Sequence, residues 1–328
     1  MTAPSAPTGR PEKHDHASPL GTWLRFAGAG LVWGSSFLFM KVALEGVSFG
    51  QVAWTRAVLG AITLIVVFTL SRRRLPRQPI VWAHFTVLAF LFAVIPYLLF
   101  TWAEQYVSSG LASIYNATTP IMTAIFATLV FRVEKLTRSQ IAGVTLGIFG
   151  VLVIISPWQA GDISGNLLGQ LARLGAAVCY GAAMSYQRRF VASYKVAGVT
   201  SATMTIGIAA GVYLLLTPVI AIGPVTLTLP VVASLLAVGV LGTGMAYVWN
   251  YRVLSEWGPT RTSTVTYITP VVGVILGAII LKETMSWHEP LGAVLVIIGV
   301  LLAQGRLRLP LGRPRTALPG EQKTTAPG

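Results

Sequence analysis

Arg56 stands several residues inside an apolar run covering 50–70, and Glu104 closes another covering 82–103. Lys41 and Arg173 occupy similar settings, toward the ends of runs at 24–43 and 167–188. A charged side chain within a bilayer costs ~2.5–3.5 kcal/mol on insertion scales, so each of these needs a reason. Three fates are open to Arg56: an ion pair with Glu104, a hold on a helix turn, or contact with an anionic group of a solute. Lys41 either carries its ammonium to the interface on its flexible stem or joins Glu104 as a coupling or ion-pairing group. Around them stand Trp33, Ser36, Phe37, Tyr97, Tyr115, Tyr180 and Tyr267, with the amides of Asn116 and Asn250. Apolar walls with a few placed polar atoms are what a small-molecule pocket requires; helix packing and an interfacial belt are the competing uses of the aromatics.

Enzyme chemistry finds little to work with. His14 and His16 fall in the N-terminal tail, and His84 and His288 near the ends of apolar runs. There is no His-Glu-x-x-His zinc motif, no phosphate-binding glycine-lysine loop and no aspartate pair within the runs. Catalysis needs a nucleophile with its base, a metal cluster or paired acids within reach, so no enzyme, cofactor or metal site is expected. The single cysteine, Cys179, excludes an intramolecular disulfide and reads as a small buried hydrophobe.

The elements that must position these residues are membrane helices. Of 328 residues, 54% are hydrophobic and 10% charged, against roughly 25% charged in soluble domains. The formal charge of +14 is scattered in short clusters between apolar runs, which argues against nucleic acid and for loops at a membrane surface. About 20 apolar residues cross the hydrocarbon core. The runs predict ten spans, at 24–43, 50–70, 82–103, 109–131, 139–156, 167–188, 199–220, 231–251, 260–281 and 289–305. Residues 1–23 and 306–328 read as disordered tails, and the first run is too long for a signal segment. With the N-terminus inside, the cytoplasmic segments collect Arg72, Arg73, Arg74 and Arg77, then Arg132, Lys135 and Arg138, then Arg188, Arg189 and Lys195, and the basic C-terminal tail. The outer loops receive Lys282 alone, so both termini of a multi-pass protein of the cell membrane are expected inside.

The chain also matches itself. The segment 112–120, ending in Pro120, resembles 262–270, ending in Pro270. Glu134, Gly143 and Gly150 correspond to Glu283, Gly292 and Gly299; Trp33-Gly34 corresponds to Tyr180-Gly181, and Lys41 to Arg188. Two halves, 24–156 and 167–305, of five spans each would enter the membrane in opposite directions, the inverted-repeat plan of many secondary transporters. A proline within a helix leaves the carbonyl four residues earlier without a donor, so Pro120 frees Asn116 and Pro270 frees Thr266. Such carbonyls should face a cavity or be rescued by hydroxyls, for which Thr119, Thr123 and Thr269 are near enough. The two prolines therefore read as helix-bending positions. Pairs spaced by four, Gly30/Gly34, Gly143/Gly147, Gly207/Gly211 and Gly273/Gly277, read as packing sites.

The run Trp33-Gly34-Ser35-Ser36-Phe37 leading to Lys41, Arg56, and the stretch from Trp102 through Glu104, Ser108 and Gly110 to Asn116 and Pro120 resemble the EamA-type drug/metabolite transporter superfamily. So do Glu134, Gly143 and Gly150 with their second copy, and the resemblance covers about 24–305. The second half departs at its start, where Tyr180-Gly181-Ala182-Ala183-Met184 stands. The resemblance implies ten helices, a cavity lined by the first four of each half, and transport of a small organic solute (amino acid, metabolite or drug-like compound), often outward. Because the sequence has no ATP site and Glu104 is the one acid near a span interior, coupling to the proton gradient or uncoupled facilitated diffusion is expected. A channel, receptor or membrane scaffold is the alternative; a channel needs a selectivity element, and none is evident.

Overall fold

The computed structural model describes residues 19–156 and 165–307; the expected tails beyond these limits and the segment 157–164 lie outside it. The described residues are all-helical, without a strand. Ten helices are labelled α1 (Pro19–Ala43), α2 (Phe49–Leu70), α3 (Pro79–Ala103), α4 (Ser109–Val130), α5 (Arg138–Ile155), α6 (Asn166–Tyr194), α7 (Gly198–Leu215), α8 (Leu229–Gly258), α9 (Val265–Ile280) and α10 (His288–Ala303). The first eight are long and apolar enough to cross a membrane, whereas α9 and α10 have only 16 residues each. The expected ten full-length spans are thus eight plus two short apolar helices. In α9 the cause is local. Gly258 breaks the helical path at φ 76°, and the hydroxyls of Thr262, Thr264 and Thr266 each donate to a carbonyl three or four residues back, competing with the backbone around Ser263 and Thr264.

Helix ends follow sequence chemistry. Ser48 with Gln51 and Thr137 with Gln140 form capping boxes that start α2 and α5. Pro79 opens α3, where its missing N–H costs nothing. The first helix begins at Pro19 rather than 24, because Trp23 and Phe26 pack on Trp257, the Trp23–Trp257 ring centroids lying 4.6 Å apart. Thr22 and Arg25 both reach Glu256, which also lengthens α8 beyond the expected 251.

The most extensive helix contacts all run between the halves: α5 with α10, α1 with α8 and α9, α2 with α7 and α8, α3 with α6 and α7, and α4 with α6 and α9. Glycines make these approaches possible. A Cβ on Gly34 would meet Val272 of α9, and one on Gly181 would meet Met122 of α4, so corresponding glycines serve corresponding contacts. In the same way Gly143 and Gly147 face Gly299, and Gly150 faces Gly292, with backbone against backbone. Gly30/Gly34 and Gly273/Gly277 pack as expected, but Gly207 and Gly211 have nothing within 4 Å and are not packing sites. Large apolar side chains point outward, Leu70 being 78% and Leu215 82% exposed. That inversion of soluble-protein burial is what a lipid solvent allows.

The two expected bends differ. In α4 the helix is interrupted at Ala117 and Thr118, just before Pro120, and Thr119 Oγ1 donates to the Asn116 carbonyl at 2.8 Å. In α9, Pro270 lies inside a continuous helix, and the Thr269 hydroxyl goes to Val265 rather than Thr266. Four further irregularities are absent from the sequence reading: π-helical segments at Phe90–Val94 in α3 and Ala237–Met245 in α8, at matching places in the halves, and at Phe126–Val130 in α4 and Gln187–Val191 in α6. In α3 Pro96 explains the first. It cannot donate to the Phe92 carbonyl, and the preceding Ile95 N–H bonds five residues back to Phe90.

Candidate functional site

These irregular segments bring polar groups into the dry interior. Arg56, on α2, is 8% exposed. Its guanidinium carbon lies 4.1 Å from the ring centroid of Tyr97, the residue after Pro96 on α3. Its Nε donates to Thr243 Oγ1 at 3.1 Å, and its Nη1 lies 3.5 Å from Met40 Sδ. Thr243 is in the π segment of α8, where its own hydroxyl donates five residues back to Val238. The Tyr97 hydroxyl is buried and has no hydrogen-bond partner among the described residues. Tyr213 of α7 donates its hydroxyl to the Val94 carbonyl at 2.8 Å, satisfying part of the irregular stretch of α3.

Two turns beyond Tyr97 along the chain, just past the end of α3, Glu104 forms an ion pair with Arg173 of α6, and both side chains are wholly buried. The Arg173 guanidinium lies 5.3 Å from the Phe37 ring and 4.9 Å from the Phe100 ring. Aromatic faces supply electron density where water is excluded. Tyr180 extends the cluster, its ring 5.5 Å from Phe100 and 5.9 Å from Phe92. Phe37 and Met40 are three apart on α1, as are Tyr97 and Phe100 on α3, so both arginines address the same pair of helix faces.

The ion pair corrects one option in the sequence reading: Glu104 is taken by Arg173, not by Arg56. Among the described residues Arg56 has no carboxylate within ion-pair distance. Lys41 forms no ion pair among the described residues. Its Nζ donates to the carbonyls of Glu104 at 2.6 Å and Val107 at 3.0 Å, the C-terminal end of α3, where a cation suits the helix dipole. Immediately beyond, Glu283 of the second half accepts from Ser109 N, Ser109 Oγ and Gly110 N at 2.8, 2.9 and 3.1 Å and caps α4. Its counterpart Glu134 instead pairs with Arg188 at 2.6 Å on an exposed surface.

The remaining candidates divide. Trp33 donates its Nε1–H to the Gly242 carbonyl at 3.0 Å and packs edge-on against Tyr247, beside Thr243. Ser36 spends its hydroxyl on the Val32 carbonyl. Tyr115 is fully buried and donates to Gln170 at 2.6 Å, and Tyr267 donates to Gln304, so both hydroxyls tie helices together. Asn116 and Asn250 are half-buried. Thr243, Met40 and Tyr213 escaped the sequence reading; a threonine in a glycine-rich run and a methionine in an apolar one carry no local signal of an arginine opposite. No group of three or more metal-ligating side chains occurs among the described residues.

Known proteins share this plan. Residues 22–156 and 167–304 each match the EamA-like transporter family. The chain belongs to that family, as a multi-pass membrane protein built from two repeats. Its relatives include an uncharacterized transporter, YoaV, of Bacillus subtilis, 25% identical over 83% of this chain and 92% of the relative. The uncharacterized inner membrane transporter YedA of Escherichia coli is 28% identical over 83% and 87%. A probable amino-acid metabolite efflux pump of Salmonella typhimurium is 26% identical over 83% and 91%. A solved crystal structure superposes with a TM-score of 0.60 at 19% identity, covering 88% of this chain and 99% of the other, and so shares the fold.

Proposed function

We propose that this protein is a secondary transporter that exports a small organic solute (amino acid, metabolite or drug-like compound) across the cell membrane by alternating access between two inverted halves, with both termini cytoplasmic. The observation that carries this reading is the buried Arg56 cluster, formed by α1, α2 and α3 of one half and α8 of the other. A charge is kept inside such a bundle at a cost, and its position between two bodies that meet along every major helix contact suits a site exposed first to one side and then the other. Membership of a transporter family and the Salmonella relative's name support the solute class and the outward direction. Trp33, Phe37, Tyr97, Tyr180 and Thr243 are assigned to the pathway, Arg56 to the solute, and the interruption before Pro120 to the moving part of α4.

The test is flux in liposomes containing the purified protein, against a panel of amino acids, nucleosides and cationic drugs. Saturable, protein-dependent counterflow of at least one solute is expected, with Arg56→Ala abolishing it at matched protein levels. Flux that never saturates, or ion currents without solute movement, would favour a channel and overturn the proposal.

A further inference from the structure

The interior charges do not cancel. Arg173 is neutralised by Glu104, both wholly buried. Lys41, at the α3–α4 turn, is held by two carbonyls, with the Glu283 carboxylate on the far side of the same turn. Arg56 has one hydroxyl acceptor, one thioether and one aromatic face, and no carboxylate among the described residues. The ring beneath it carries a buried hydroxyl that also has no partner among those residues. A guanidinium with spare donors and an O–H donor on the same ring are complementary to one oxyanion, which accepts from both. The aromatic edge of Trp33 on Tyr247 and the Met40 side chain adjoin this point, so the remainder of such a solute is apolar.

On the reading of the protein as an exporter, we infer that its solute is an organic monoanion whose carboxylate-like group neutralises Arg56, and that each cycle carries one net negative charge outward without a proton. Loading brings the interior to charge balance, so the rearrangement occurs with no uncompensated charge in the bundle. Glu104, the acid nearest the site, is committed to Arg173 and leaves no free carboxylate there to carry a proton. An inside-negative membrane potential then drives the anion out. At about 100 mV, one elementary charge shifts the equilibrium distribution roughly fiftyfold.

The experiment uses three solutes with one ring system and three charges: N-acetyl-L-tryptophan (anion), L-tryptophan (zwitterion) and tryptamine (cation). Liposomes containing the full chain are loaded with each radiolabelled solute, and a potassium diffusion potential is imposed with valinomycin; protein-free liposomes give the background. N-acetyltryptophan efflux is expected to accelerate as the interior is made more negative and to ignore an imposed pH step. Arg56→Gln should reduce it by roughly tenfold or more, Arg56→Lys should retain part of it, and Tyr97→Phe should weaken it by roughly three- to tenfold. Should Arg56→Gln fail to fold, Tyr97→Phe, which keeps the ring, decides the same question. Transport of tryptophan or tryptamine but not of the anion, flux that follows the pH step and not the potential, or undiminished anion flux in both variants overturns this inference. Any of those results leaves the exporter reading standing, whereas no flux for any solute of the wider panel removes that reading and this one together.

Discussion

The Arg173–Glu104 pair has the geometry of a structural element that is costly to halve. With both partners wholly buried, removing one strands the other in a low-dielectric interior, a penalty of about 3–5 kcal/mol. Glu104→Gln is therefore expected to lower unfolding stability in detergent by about that amount. The double variant Glu104→Gln with Arg173→Met should recover most of it, as thermal or chemical unfolding would show. If the single variant proved neutral, the pair would not be the interior strut described here. From sequence, the presence of each charge was legible, because an ionisable residue in an apolar run stands out. The pairing was not: Arg56 and Arg173 are equally plausible partners for Glu104, and only the packing of α3 against α6 chooses between them. Thr119 was more accessible. Its hydroxyl lies within local reach of the carbonyl freed by Pro120, and local hydrogen bonds are fixed by spacing.

At the scale of helices, glycine contacts separate two kinds of position that look alike in sequence. Gly299 faces Gly143 and Gly147 so closely that a Cβ would lie 2.6 Å from the Gly147 nitrogen, whereas Gly207 meets nothing. Gly299→Ala should cost about 1–3 kcal/mol through overpacking. Gly207→Ala should be neutral or stabilising by up to about 1 kcal/mol, since alanine is the better helix former. Equal effects in an unfolding titration would contradict the placement of α5 on α10. Pro96→Ala tests the irregular stretch of α3 in a similar spirit. Restoring the N–H should favour regular helix, turn Tyr97 away from Arg56 and diminish solute flux more than stability. Apolar run length located the ten helices, with their ends up to about seven residues off, as at the end of α8. It did not disclose the π segments, because runs apolar on every side lack the periodicity that would register a slipped turn.

Across the whole molecule, the strongest contacts cross from one half to the other, so neither half has a core of its own. Residues 1–160 or 161–328 expressed alone should be degraded, while co-expression should restore a stable, co-purifying complex. Independent folding of either half, measured by its recovery and helicity in detergent, would contradict the interleaved packing. The repeat itself was readable from ordered matches such as Gly143/Gly292 and Gly150/Gly299. That the repeats interlock rather than sit side by side was not, since similarity between segments is silent on which of them touch.

The glycine strip joining α5 to α10 carries a historical implication. Gly143 touches Gly299, and their counterparts, Gly292 and Gly150, touch each other. Residue i on j with j on i is the signature of an isologous interface, the kind that a two-fold homodimer makes from a single surface. The strip thus has the form of a dimer seam retained within one polypeptide. Covalent fusion removes the constraint that both copies carry the same residues. One copy keeps Trp33-Gly34-Ser35-Ser36-Phe37, with Trp33 on the Gly242 carbonyl, while the other has Tyr180-Gly181-Ala182-Ala183-Met184, with Tyr180 on Phe100. A symmetric frame can therefore hold a lopsided interior, with different side chains at corresponding places of its two halves.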